Sequence, residues 1–136
     1  MKNLIVPAKR ENLDTIQGFI RDELSAYDCP PKALIELEIA VEEIFVNIAS
    51  YAYDTNDGDA EIKCEIETNP LSVTIQFLDD GKPFDPLAKP DADLSKEGLM
   101  SRVGGLGIYM VKQSMDMVAY RYEANKNILT IKKNLE

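Results

Sequence analysis

The spacing of apolar residues changes period several times along the chain, and each change marks an element. Leu13, Ile16, Phe19, Ile20 and Leu24 recur at helical spacing, which predicts an amphipathic helix from about Glu11 to Tyr27. Asp28-Cys29-Pro30-Pro31 breaks it. Pro31 suits a first helical turn and opens a second helix to about Tyr53, with Leu34, Leu37, Val41, Ile44 and Ile48 as its core stripe. The period then drops to two. Ile62, Cys64 and Ile66 alternate with Lys63, Glu65 and Glu67, predicting a half-buried strand from Glu61 to Thr68. Asn69-Pro70 turns the chain into a strand from Leu71 to Leu78, with Val73, Ile75 and Phe77 on one face. A short strand, Asn3 to Pro7, precedes the first helix, and Asp54 to Asp59 is a turn.

Asp79 to Val103 shows no clear period and carries Pro83, Pro86 and Pro90, which reads as a loop with a short helix in it. Behind it comes an apolar run at helical spacing, Leu106, Met110 and Val111, predicting a helix to about Ser114. Met117 to Glu123 and Ile128 to Lys132 pair as a hairpin across Ala124-Asn125-Lys126-Asn127. The order is β-α-α-β-β-loop-α-β-β, with no repeat and no linker. One domain over residues 1–136 is expected, of α+β class: a two-layer sandwich in which helices cover one face of a mixed, mostly antiparallel sheet.

Composition narrows the functions. The chain has 136 residues, 45% of them hydrophobic, enough for a real core. Asp and Glu number 24 against 15 Lys and Arg, a net charge of -9, which argues against non-specific nucleic-acid binding and against anionic membranes. A local site can still hold an anion. Cys29 and Cys64 stand far apart in no metal spacing, so free thiols in a reducing cytoplasm are expected. No apolar run reaches membrane-spanning length, and Leu4-Ile5-Val6 is too short for a leader. Histidine is absent, which excludes Ser-His-Asp and Cys-His nucleophile pairs, histidine zinc sites and a phosphohistidine.

Three stretches carry candidate chemistry. Gly104-Gly105-Leu106-Gly107 opens a helix, so unpaired N–H groups and the positive helix end face outward, suited to phosphate. The same glycines also suit a plain loop before a core helix. Glu43 and Asn47 lie four apart on one helix face beside the apolar stripe. Asn47 can offer a hard oxygen to Mg²⁺ and Glu43 can accept a proton. Glu43 also suits an acidic surface with Glu36, Glu38 and Glu42. Asp79-Asp80-Gly81 closes a strand. Its aspartate can accept a hydrogen bond from an amine such as adenine N6, and Gly81 lets a ring approach; an ordinary Asp-Gly turn is the other reading.

Together, in this order, the three stretches resemble the motifs of the GHKL ATPases, the fold shared by gyrase and the histidine kinases. Glu43-Ile44-Phe45-Val46-Asn47 looks like the N box, Asp79-Asp80-Gly81 like the first glycine box, and Gly104-Gly105-Leu106-Gly107-Ile108 like the second. Within the family the chain most resembles the stand-alone anti-sigma-factor serine/threonine kinases, from about Leu34 to the C-terminus. The resemblance implies ATP and Mg²⁺ as ligands. Asn47 would hold Mg²⁺, Glu43 would be the general base, and Asp79 with Gly81 would take the adenine. Gly105, Leu106 and Gly107 would contact phosphate through their N–H groups, Gly104 would belong to the same ATP-binding box, and Arg102 would pair with the terminal phosphate on charge and position. Family members often carry a basic residue or histidine three or four places after the N-box Asn, where this chain has Ser50 and Tyr51. With no histidine, it is not expected to be a complete histidine kinase.

The resemblance implies a cytoplasmic kinase that phosphorylates a small antagonist protein, binds a sigma factor in turn, and forms a homodimer. The alternative is a regulatory module that binds ATP or ADP without transfer and acts through protein contacts alone. A simple ATPase ranks below both.

Overall fold

The computed structural model describes residues 1–54, 58–88 and 106–136. Its strands are β1 (Lys2–Pro7), β2 (Asp59–Glu67), β3 (Ser72–Asp79), β4 (Met117–Glu123) and β5 (Lys126–Asn134). Its helices are α1 (Leu13–Leu24), α2 (Pro31–Tyr51) and α3 (Leu106–Ser114), with a short 3₁₀ turn at Arg10–Asn12. The sheet runs β1-β2-β3-β5-β4, and all of its pairings are antiparallel, so the parallel component of the expected mixed sheet does not occur among the described residues.

Register places one apolar face under the helices. Ile62, Phe77 and Leu129 form one row across β2, β3 and β5, and Cys64, Ile75 and Ile131 form the next. Ile16, Ile20 and Leu24 of α1, and Leu37, Val41, Ile44 and Phe45 of α2, pack into this face. Burying each such large side chain stabilises the fold by roughly 1.5–3 kcal/mol. Phe45, absent from the expected stripe, is 0% exposed because it lies one turn beyond Val41, whereas Leu34 and Ile48 sit at the stripe's margin. Met110 departs from expectation more sharply: it is 54% exposed, while Val111 beside it carries the packing.

Boundaries shift for local reasons. Helix α1 ends at Leu24 and not near Tyr27, since Ser25 Oγ donates to the Asp22 carbonyl at 2.7 Å and tightens the exit. Helix α2 ends at Tyr51, and the Ala52 carbonyl is taken by the Lys82 N–H at 3.2 Å. The last turn is shorter than expected. Only Ala124 (φ 54) and Asn125 (φ 63) form it, both left-handed as a two-residue hairpin requires, so Lys126 and Asn127 belong to β5. Both cysteines are free, and burial pushes the Cys64 thiol up to about 11, which makes it inert.

Candidate functional site

Register also brings the polar groups together. Asp79 ends β3 directly opposite Asn127 of β5, on the helix-facing side of the sheet. Asp79 is only 5% exposed. Its Oδ1 accepts from the Gly81 N–H at 2.9 Å and from Asn127 Nδ2 at 2.9 Å. Its Oδ2 has no partner among the described residues. Burial pushes the Asp79 carboxyl above its ordinary value, while the bonds from Asn127 and Gly81 pull against this.

Asn127 is the functional candidate that sequence reasoning missed. Its Nδ2 also donates to the Lys82 carbonyl at 2.9 Å and the Gly81 carbonyl at 3.3 Å. Its Oδ1 accepts from the Phe84 N–H at 3.1 Å and from the Tyr120 hydroxyl. One amide thus ties the 81–84 loop to the sheet around Asp79. The sequence carries little signal for it, since Asn127 directly precedes the run Ile128-Leu129-Thr130-Ile131, where asparagine suits a turn as well as a strand start.

Gly81 lies against the end of α2. A Cβ there would stand 2.2 Å from the Ala52 carbonyl oxygen, a backbone atom that cannot give way. Tyr53 secures the same corner, its hydroxyl donating to the Asp59 carbonyl at 2.6 Å and accepting from the Asp80 N–H at 2.8 Å.

Further back along α2, Asn47 Nδ2 donates to Glu43 Oε1 at 3.4 Å, and both side chains are half-buried. The Asn47 oxygen has no partner among the described residues. Glu43 abuts α3: a Cβ on Gly107 would come within 1.9 Å of its carboxylate. The acidic residues of α2 therefore do not form one surface. Glu36 pairs with Lys133, Glu38 with Arg21, and Glu42 is exposed, while Glu43 lies against Gly107 of α3.

Of the residues singled out from sequence, Glu43, Asn47 and Gly107 come together at the α2–α3 contact, and Asp79 and Gly81 at the β3 end. Leu106 begins α3. Arg102, Gly104 and Gly105 lie outside the described residues, as does most of the predicted loop to Val103. A separate cavity of about 300 Å³ between α1 and α2 is lined by Ile20, Leu24, Leu37 and Val41, and no candidate site residue borders it.

A buried carboxylate with one oxygen unpartnered among the described residues, glycines at two close approaches, and an amide–carboxylate pair one helical turn apart fit a nucleotide cleft. Residues 6–133 match the model of the histidine kinase-like ATPase domain. The chain belongs to the histidine kinase-like ATPase family. It is 27% identical over 133 residues to the serine-protein kinase RsbW of Listeria monocytogenes serovar 1/2a, covering 95% of this chain and 84% of that one. The Listeria innocua serovar 6a protein of the same name is 26% identical over 133 residues, with the same coverage. Among solved structures, the RsbU and RsbW domains of a Mycobacterium tuberculosis protein superpose with a TM-score of 0.61 at 14% identity. That match covers 99% of this chain and 33% of the other, so the chain spans a third of that protein's length. The histidine kinase domain of an Erythrobacter litoralis blue-light activated histidine kinase gives a TM-score of 0.59 at 14% identity, over 96% of this chain and 62% of that one. These two likenesses establish the shared fold. No helix among the described residues is long and apolar enough to cross a membrane.

Proposed function

We propose that the protein binds Mg·ATP and transfers the γ-phosphate to a serine or threonine hydroxyl of a small antagonist protein, regulating transcription by partner switching. The observation that carries the reading is Glu43. This carboxylate has no cationic partner among the described residues, lies against Gly107 of α3, and holds Asn47 one turn away. Family membership and the RsbW relatives support the kinase class.

Asp79 Oδ2 would accept the adenine amine, and Gly81 keeps the loop backbone close to the ring. The second glycine box, with Gly107 in it, would hold the phosphates through backbone N–H groups. Asn47 fits Mg²⁺ because its amide nitrogen is engaged by Glu43, which leaves the harder oxygen without a partner among the described residues. Among the described residues no group of three acidic side chains could hold the ion alone, so the nucleotide phosphates would complete its shell. Bound Mg²⁺ would neutralise charge on the phosphate oxygens. In transfer, the acceptor hydroxyl oxygen bonds the γ-phosphorus, the bond to the β–γ bridging oxygen breaks, and ADP leaves. Glu43 takes the hydroxyl proton.

The partner would be an anti-sigma-factor antagonist, with a sigma factor as the competing partner and a homodimer as the working form in the cytoplasm. Incubation with labelled ATP and the small protein encoded beside it tests this. Label on a serine or threonine supports the kinase. ATP binding without transfer to any such protein leaves the non-catalytic module as the function.

A further inference from the structure

We propose that Arg10 is a phosphate-contacting residue of the nucleotide site, held over α2 by Ser50; the inference rests on the ATP reading above. Arg10 begins the 3₁₀ turn after β1, and its Nη2 donates to Ser50 Oγ at 3.0 Å. The two residues are far apart in sequence, so only the fold puts a guanidinium on this helix.

The position of Ser50 gives the contact its meaning. The site has two ends along α2: Gly107 touches Glu43 at one, and Gly81 touches Ala52 at the other. Asn47 and Ser50 lie between. Ser50 is seven positions after Glu43, so at about 100° per residue they point within about 20° of each other. A nucleotide with its base at Asp79 and its terminal phosphate at Glu43 must lay its ribose and phosphates along this stretch.

Charge supplies the second reason. Among the described residues, the acidic groups around the cleft include Glu43, Asp54, Asp79 and Asp80. Among the described residues, two lysines on its rim are already matched, Lys82 to Asp54 at 3.4 Å and Lys126 to Asp80 at 2.8 Å. Arg10 differs. Its partner is a neutral hydroxyl, and it pairs with no carboxylate among the described residues. A guanidinium carries five N–H donors in a planar fork that fits phosphate oxygens, and Ser50 takes one of them. The hydroxyl aims the fork without neutralising it.

Calorimetry with ATP, and displacement of a fluorescent nucleotide by adenosine, test this on wild type, Arg10→Gln, Arg10→Lys and Ser50→Ala. Arg10→Gln should weaken ATP about tenfold, the scale of one charge-assisted contact at a partly exposed site, and leave adenosine and the melting curve unchanged. Its ATP affinity should also depend less on ionic strength. Arg10→Lys should recover part of the loss, and Ser50→Ala should lose less than Arg10→Gln. Unchanged ATP affinity in Arg10→Gln overturns the proposal while the ATP reading stands. Equal losses for ATP and adenosine overturn it too, since Arg10 would then only shape the pocket. A wild type that binds no ATP removes both readings.

Discussion

The Cα of Gly107 lies against the carboxylate of Glu43, so close that a methyl group on it would sit 1.9 Å from both Cδ and Oε1. The obstructing atoms are the end of a flexible side chain, so Gly107→Ala can be accommodated by swinging the carboxylate away. The fold should survive and the base should be displaced. We expect an unchanged melting curve and a phosphotransfer rate down by about 10²-fold, the scale of a misplaced catalytic group. Full activity in Gly107→Ala would show that the Glu43 position observed here is not the working one.

Glu43→Gln keeps the shape and removes the basicity. General-base catalysis is worth about 10²–10⁴-fold, so transfer should fall by that order. ATP affinity should barely move, since Glu43 is expected to meet the acceptor hydroxyl and not the nucleotide. Single-turnover transfer and calorimetry separate the two effects. Equal transfer rates would place the base elsewhere.

The elements were legible because their periods are strong. The α1 and α2 stripes and the alternation in β2 and β3 leave little choice of element or face. Asn127 was hidden by a turn read two residues too long, which left it outside the strand. The hairpin carries neither Asn-Gly nor Asp-Gly, and Ala124 is an unusual residue at positive φ, so the register was not marked. With the register set, Asn127 falls opposite Asp79, at the end of the site proposed to take the adenine. The Arg10–Ser50 contact has no local signal at all, because it depends on where the β1 exit passes over α2.

The hairpin itself is a test of that register. Ala124 sits at φ 54, where a Cβ is disfavoured. Ala124→Gly should stabilise the protein by up to about 1 kcal/mol in chemical denaturation, glycine's greater freedom in the unfolded chain offsetting part of the relief. A loss of stability would mean that the turn has another geometry.

Asn127→Ala removes several hydrogen bonds at once. The Phe84 N–H, the Tyr120 hydroxyl and the 81–82 carbonyls lose their common partner, and Asp79 keeps only Gly81. We expect a destabilisation of about 2–3 kcal/mol together with weaker ATP binding. Asn127→Asp should be worse, since it sets a second carboxylate against Asp79. Unchanged melting and binding in Asn127→Ala would reduce the network to incidental contacts.

Asp79→Asn separates binding from stability. The new amide can turn its oxygen to the Gly81 and Asn127 donors, so both structural bonds survive. Its nitrogen then occupies the Oδ2 position and meets the adenine amine donor to donor. ATP binding should weaken by about 1.5–3 kcal/mol, the worth of a hydrogen bond to a charged group. Stability should move the other way. The Asp79 carboxyl is held above its ordinary value, chiefly by burial, so its folded-state pKa exceeds its unfolded one. Below the unfolded value both states hold the proton and no charge is buried. Between the two values the unfolded chain has released its proton and the folded one has not, so wild-type stability falls as pH rises through this window and levels off above it. Asparagine does not titrate. Urea unfolding at a series of pH values should therefore show Asp79→Asn gaining on wild type as pH rises from the ordinary carboxylate value, with the gain constant near neutrality. A wild type that instead gains on the mutant with rising pH would mean that Asp79 is stabilised as a carboxylate by groups other than Gly81 and Asn127, and its open oxygen would no longer be free for adenine.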